Sequence, residues 1–141
     1  MTVTDRIALR NPIVSDVARL NEWLDSAFAQ VRLDHSVAAD MKLCMNEIIA
    51  NLISYAFEDT AQPAIRIELN LDPDRASAVV EDNGIHFDIC HWPLPEKPKD
   101  IATAKSGGFG IALIRERARD IRYVRNGDLN QLTIVCASSG I

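Results

Sequence analysis

Cysteine, long apolar runs and a surplus of positive charge are all scarce in this 141-residue sequence. Its three cysteines (Cys44, Cys90, Cys136) are dispersed, with no Cys-x-x-Cys pair. An odd, scattered count fits reduced thiols in a cytosol better than a disulfide framework. The uninterrupted apolar runs reach only a few residues, far short of the roughly 20 needed to cross a bilayer. The opening residues M-T-V-T-D-R-I-A-L-R lack the apolar core of an export signal. Fifteen basic against 20 acidic side chains leave a net charge of −5, and general phosphate-backbone binders carry the opposite balance. Six glycines and six prolines exclude collagen-like and low-complexity chains. The composition that remains, 48% apolar and 25% charged, is that of an ordinary globular chain of one-domain length.

The apolar spacing sets out the elements. Ile7 and Leu9 alternate with polar neighbours as in a short strand that Pro12 ends. Val17, Leu20, Leu24, Ala27, Phe28 and Val31 recur at helical spacing after Ser15-Asp16, which predicts a first helix over 15–31. Trp23 on it reads as a partly buried core residue or an interface residue. A second helix is expected from near Ser36 to about Phe57, with Met41, Met45, Ile48, Leu52 and Ala56 as its apolar stripe. Two strand-like runs, 64–71 and 76–82, flank the turn cluster D-P-D-R and read as a hairpin. Residues 83–106 lose all periodicity, and connections of that length are usually functional. A third helix follows the glycines at 107–110, and a second hairpin turns at Asn126-Gly127. No internal repeat or linker appears, so residues 1–141 are expected to form one domain. The predicted class is α+β: a two-layer sandwich whose mixed or antiparallel sheet is covered on one face by about three helices.

Three clusters could carry chemistry. In N-E-I-I-A-N, Glu47 and Asn51 stand four residues apart and project from one helix face. A carboxylate and an amide carbonyl so placed can hold a hard cation and orient a hydroxyl, although such a pair alone is most often a solvated face. In V-V-E-D-N-G, an apolar strand ends at Asp82 with Gly84 two residues on. A carboxylate there can accept from an exocyclic amine, or the tripeptide can be a plain turn. In S-G-G-F-G-I-A-L-I, glycines run directly into a helix, where free backbone N–H groups and the positive helix end make a phosphate cradle. The same glycines could serve only as a hinge. The spacing matches neither the P-loop nor the dinucleotide fingerprint. The order of the three carries more than any one of them.

Taken together, these motifs resemble the GHKL ATP-binding superfamily (histidine kinase-like ATPases), and within it the stand-alone anti-sigma-factor serine/threonine kinases. Glu47 to Asn51 is similar to the family's Glu-x-x-x-Asn box. Asp82-Asn83-Gly84, extended by Phe87-Asp88, is similar to its Asp-x-Gly box, and Gly107, Gly108 and Gly110 to its glycine box. The likeness runs from about Ile7 to Val135. It implies ATP and Mg²⁺ as ligands, with Asn51 on the metal and Glu47 as general base. It further implies Asp82 on the adenine amine, Gly84 allowing close approach to the base, and Gly107, Gly108 and Gly110 against the phosphates. Lys105 is implied as a phosphate partner, Thr133 as support near Asp82, and residues 89–106 as an ATP lid.

Two positions depart from the pattern. His86 replaces a second glycine found in many members, and the lid is short and rich in proline. The sequence offers no room for the dimerisation helix of histidine kinases or the transducer domain of gyrase-type ATPases. The resemblance therefore implies a cytoplasmic kinase that phosphorylates a small antagonist protein and sequesters a sigma factor. A homodimer is an expectation of the same resemblance, with no nucleic acid or membrane as partner. The alternatives are a nucleotide-sensing or nucleotide-independent anti-sigma or adaptor module without turnover, and a detached half of a two-component system acting on histidine.

Overall fold

A computed structural model describes residues 2–90 and 108–138. Among these residues five strands form one sheet: β1 (Val3–Arg10), β2 (Ala64–Asp72), β3 (Arg75–Asp82), β4 (Asp120–Asn126) and β5 (Leu129–Ala137). The spatial order is β1-β2-β3-β5-β4, and every neighbouring pair is antiparallel. Among the described residues three helices, α1 (Asp16–Val31), α2 (His35–Asn51) and α3 (Gly108–Arg117), accompany it. The α+β reading holds, and the sheet is wholly antiparallel.

Alternation along the strands decides which face is covered. Ile65, Ile67, Leu69 and Leu71 of β2 are buried, whereas Arg66, Glu68 and Asn70 between them face outward. The same period of two buries Ala76, Ala78, Val80 and Asp82 of β3 and Asn130, Leu132, Ile134 and Cys136 of β5. Against this face pack Leu20, Leu24 and Phe28 of α1, Met41, Met45 and Ile48 of α2, and Ile111 and Ile114 of α3. Trp23 packs partly buried against the same core. All three cysteines are free thiols, Cys44 and Cys136 within the core. Among the described residues no helix is long and apolar enough to cross a membrane.

Local signals account for the element ends. The Asp34 side chain accepts from Ser36 and Val37 N–H (3.0 and 3.2 Å), capping α2, and its own N–H donates to Pro73 O at 2.7 Å. That bond joins the α1–α2 corner to the β2–β3 turn. Gly127 turns the second hairpin at φ +57°, a conformation open to glycine without steric cost.

The second helix departs from the expectation. Regular α-helix ends at Asn51, and Leu52–Ala56 continue as a π-helical turn. Turns of this kind concentrate at functional sites because they re-aim the chain. Here the turn delivers the Ala56 carbonyl to Ile85, whose N–H donates to it at 3.0 Å.

Candidate functional site

The site lies between α2, the β3 end, the 83–90 loop and the first turn of α3. Glu47 and Asn51 occupy one face of α2, one turn apart. A Cβ added at Gly110 would stand 2.5 Å from Glu47 Oε2 and 3.4 Å from Asn51 Nδ2. Both side chains therefore sit against α3 at its N-terminal end, where backbone N–H groups lack intrahelical partners and the helix dipole is positive. Asn51 is only 9% exposed, and its Nδ2 is buried without a hydrogen-bond partner among the described residues. An orphaned buried amide costs about 1–3 kcal/mol, so a group that satisfies it would bind favourably.

Asp82 ends β3 facing the helices and is 5% exposed. Its Oδ1 accepts two hydrogen bonds, from Gly84 N–H at 2.8 Å and from Asn130 Nδ2 at 2.9 Å. Neither bond falls on Oδ2. Burial pushes the carboxyl above its ordinary value of 3.8, and the Asn130 and Gly84 bonds oppose that rise. Asn83 is more than a turn residue. Its side chain accepts from Ala64 N–H at 2.9 Å and donates to Gln62 O at 2.8 Å, tying the loop to the start of β2. Gly84 packs against the π-helical turn: a Cβ there would fall 2.6 Å from Ala56 O and 2.8 Å from Ala56 Cβ. No larger residue fits without moving backbone.

Beside Asp82 lies a narrow slot of about 20 Å³, walled by Ile48, Leu52, Val80 and Phe87 and carrying Asp82 and Asn130 as polar groups. That volume holds about one water molecule. An apolar slot with one acceptor and one amide suits the edge of a flat heterocycle, provided that its walls part to admit it. A larger hollow of about 640 Å³ lies on the opposite, open face of the sheet. Arg6 and Glu68 pair there at 2.8 Å, Arg66 pairs with Glu81, and none of Glu47, Asn51 and Asp82 reaches it.

The residues identified from sequence divide into three groups. Glu47, Asn51 and Gly110 meet at α3, and Gly108 opens that helix. Asp82 and Gly84 form the second centre beside the slot. Lys105 and Gly107 lie outside the described residues, as does the expected lid apart from Ile89 and Cys90. Thr133 is a correction. On β5 it stands opposite Val79 of β3, three positions from Asn130, and an odd offset along a strand turns its side chain to the open face, away from Asp82.

Asn130 occupies the place expected of Thr133. It stands directly opposite Asp82 in the β3–β5 ladder. Besides the bond to Asp82, its Nδ2 donates to Ile85 O at 2.7 Å, while its Oδ1 accepts from the Tyr123 hydroxyl and from Arg125 Nη1 (3.1 Å). Arg125 also donates to Gly84 O at 2.8 Å, and Tyr123 Oη accepts from Phe87 N–H at 3.3 Å. With its oxygen held by two donors, the Asn130 amide can offer only its nitrogen to Asp82. His86 lies exposed over this network, its ring 5.5 Å from that of Tyr123. The only signal for Asn130 was a polar residue on the inward alternation of β5.

Comparison with known proteins bears on the fold and the family. Residues 13–136 match the model of the histidine kinase-like ATPase domain. The chain is 26% identical over 117 residues to the serine/threonine-protein kinase BtrW of Bordetella bronchiseptica, covering 83% of this chain and 82% of that protein. It is 25% identical over 126 residues to the serine-protein kinase RsbW of Listeria innocua, covering 86% and 80% respectively. A crystal structure of the RsbU and RsbW domains of Rv1364c from Mycobacterium tuberculosis superposes with a TM-score of 0.67 at 16% identity. That likeness, which covers 96% of this chain and 32% of the other, is one of fold. A buried carboxylate beside a narrow slot and a Glu/Asn pair under a helix N-terminus thus stand on a matching fold, and the chain belongs to the histidine kinase-like ATPase domain family.

Proposed function

We propose that this chain is an ATP-dependent protein-serine/threonine kinase whose nucleotide lies between the Asp82 slot and the first turn of α3. The observation that carries the proposal is the placing of Glu47 and Asn51 against Gly110, at the end of α2 next to that slot. The resemblance to BtrW and RsbW supports the kinase reading over other uses of the fold.

In this reading the adenine amine donates to Asp82, whose orientation Asn130 and Gly84 hold. The α3 N-terminus receives the phosphates, with Gly107, Gly108 and Lys105 assigned to the same task. Asn51 would hold Mg²⁺ through its side-chain carbonyl. The donor set fits that ion: Asn51 and Glu47 offer hard oxygens, and Mg²⁺ commonly takes only one or two protein ligands besides water and phosphate. Among the described residues, no group of three or more His, Cys, Asp and Glu converges as a complete cage. Mg²⁺, when bound, offsets charge on the phosphates during transfer. Glu47 takes the proton from a serine or threonine hydroxyl of the substrate. As it does so, the hydroxyl oxygen bonds to the γ-phosphorus and the bond to ADP breaks.

The substrate class is a small antagonist protein and the sequestered partner a sigma factor, which places the protein in the cytoplasm, with homodimerisation an accompanying expectation. Calorimetric titration with Mg·ATP, beside an Asp82→Asn control, tests the site. Binding that needs Mg²⁺ and vanishes in the control supports the reading, and no binding by folded protein overturns it. ATP bound but never consumed with an antagonist present would favour a nucleotide-sensing module.

A further inference from the structure

The two halves of the site share α2 but not α3. The slot is lined by β3, β5, the 83–90 loop and, from the end of α2 onward, Ile48 and Leu52, whereas the approach of Gly110 to Glu47 and Asn51 depends on where α3 lies over α2. Ile111 and Ile114, both fully buried, seat α3 on the core. Apolar burial is non-directional, however, and does not by itself fix the position of the helix along its axis.

Arg117 ties the helix to α2 through Asp40 at 3.5 Å, and Arg115 supplies the directional tie to the slot wall. Its Nε donates to Ile89 O at 3.2 Å and its Nη2 to the same oxygen at 2.8 Å. Ile89 is 3% exposed and lines the slot beside Phe87 and Asp82. The loop that carries it is held elsewhere at Ile85 and at Phe87 N–H, so the Arg115 fork grips the distal end of a pinned segment. On the same helix, five residues and about 7.5 Å of helical rise away, Gly110 touches Glu47 and Asn51. One short rigid rod therefore contacts the slot wall at one end and the Glu/Asn pair at the other.

We propose that Arg115 is a positioning residue that sets the separation between the Asp82 slot and the α3 N-terminus, so that base and phosphates of one nucleotide are bound together. The inference rests on the nucleotide reading above. Two subsites at a fixed separation bind a linked ligand more tightly than either part alone, because the second contact is intramolecular. If the tie is cut, each subsite survives but the advantage of linkage shrinks.

The test compares Mg·ATP with adenosine by calorimetry in the full chain, using wild type, Arg115→Met and Arg115→Lys. Methionine keeps the aliphatic bulk and removes the fork, whereas lysine restores one donor without the planar geometry. The ratio of ATP affinity to adenosine affinity should fall about tenfold in Arg115→Met and by a smaller factor in Arg115→Lys. A ratio within twofold of wild type in Arg115→Met, whatever its melting temperature, overturns the proposal and leaves Arg115 a fold-stabilising residue. If Arg115→Met does not fold, Arg115→Lys decides alone: a threefold or greater fall supports the proposal and an unchanged ratio overturns it. Failure of wild type to bind either ligand would instead overturn the nucleotide reading, a distinct result.

Discussion

Asn130 faces Asp82 across the β3–β5 ladder and donates to its Oδ1 at 2.9 Å, while its own oxygen is held by Tyr123 and Arg125. Truncation to alanine would leave the Ile85 carbonyl without this donor and Asp82 with one bond instead of two on Oδ1. Asn130→Ala is expected to lower stability by about 1–3 kcal/mol, the cost of stranding buried polar groups. Urea denaturation would measure that loss. Mg·ATP affinity should fall at least tenfold, since the carboxylate that reads the base is no longer oriented.

The Asp82 carboxyl has a pH signature. Burial holds its folded value above 3.8. The folded protein therefore binds this proton more tightly than the unfolded chain, and the sign of the linkage follows. Stability from this group is complete below 3.8 and is lost as pH rises through the folded value. Wild type should lose stability relative to Asp82→Asn across that window, as followed by urea denaturation at a series of pH values. Parallel pH dependence in the two proteins would show that Asp82 does not titrate as described.

Glu47 and Gly110 separate binding from chemistry. Glu47→Gln keeps the shape and removes the base, so ATP binding should persist while phosphoryl transfer falls by about 10²–10⁴. Gly110→Ala places a methyl group 2.5 Å from Glu47 Oε2, which would have to shift. Alanine also favours helix over glycine by about 1 kcal/mol, so the fold should be retained. Transfer to a serine-bearing antagonist should nonetheless drop at least tenfold, read by phosphate incorporation beside a thermal melt.

Gly84 answers to backbone. A Cβ there meets Ala56 O at 2.6 Å, and the π-helical turn would have to move. Gly84→Ala should cost about 1–3 kcal/mol, as overpacking does, and should weaken adenosine binding together with stability. A melt within a degree of wild type would show that the turn yields freely.

Much of this arrangement was legible in the chain. Glu47 and Asn51 follow from helical spacing, Asp82-Asn83-Gly84 from its place at a strand end, and the start of α3 from its glycines. The misses have one origin, which is information carried by pairing between distant segments. Asn130 could be matched to Asp82 only with the β3–β5 register, which no hairpin rule supplies. Thr133, on the same strand, was three positions off, and in a period-two structure that odd number reverses the face. The π-helical turn was hidden because Leu52 and Ala56 continue the apolar stripe of α2. The switch becomes visible only where Ala56 O meets Ile85.

The strand order has a consequence for how the site comes into being. The hairpins β2–β3 and β4–β5 each form from neighbouring chain, but Asp82 belongs to one and Asn130 to the other, 48 residues away. Neither hairpin alone contains a pocket. Closing so long a loop costs entropy that local contacts do not offset in advance, so docking of β5 onto β3 is a slow step relative to hairpin formation. A nucleotide that recognises the joined pair stabilises the docked state by mass action. Ligand would then act during assembly as well as after it, holding together two halves of a sheet that meet at the point where it binds.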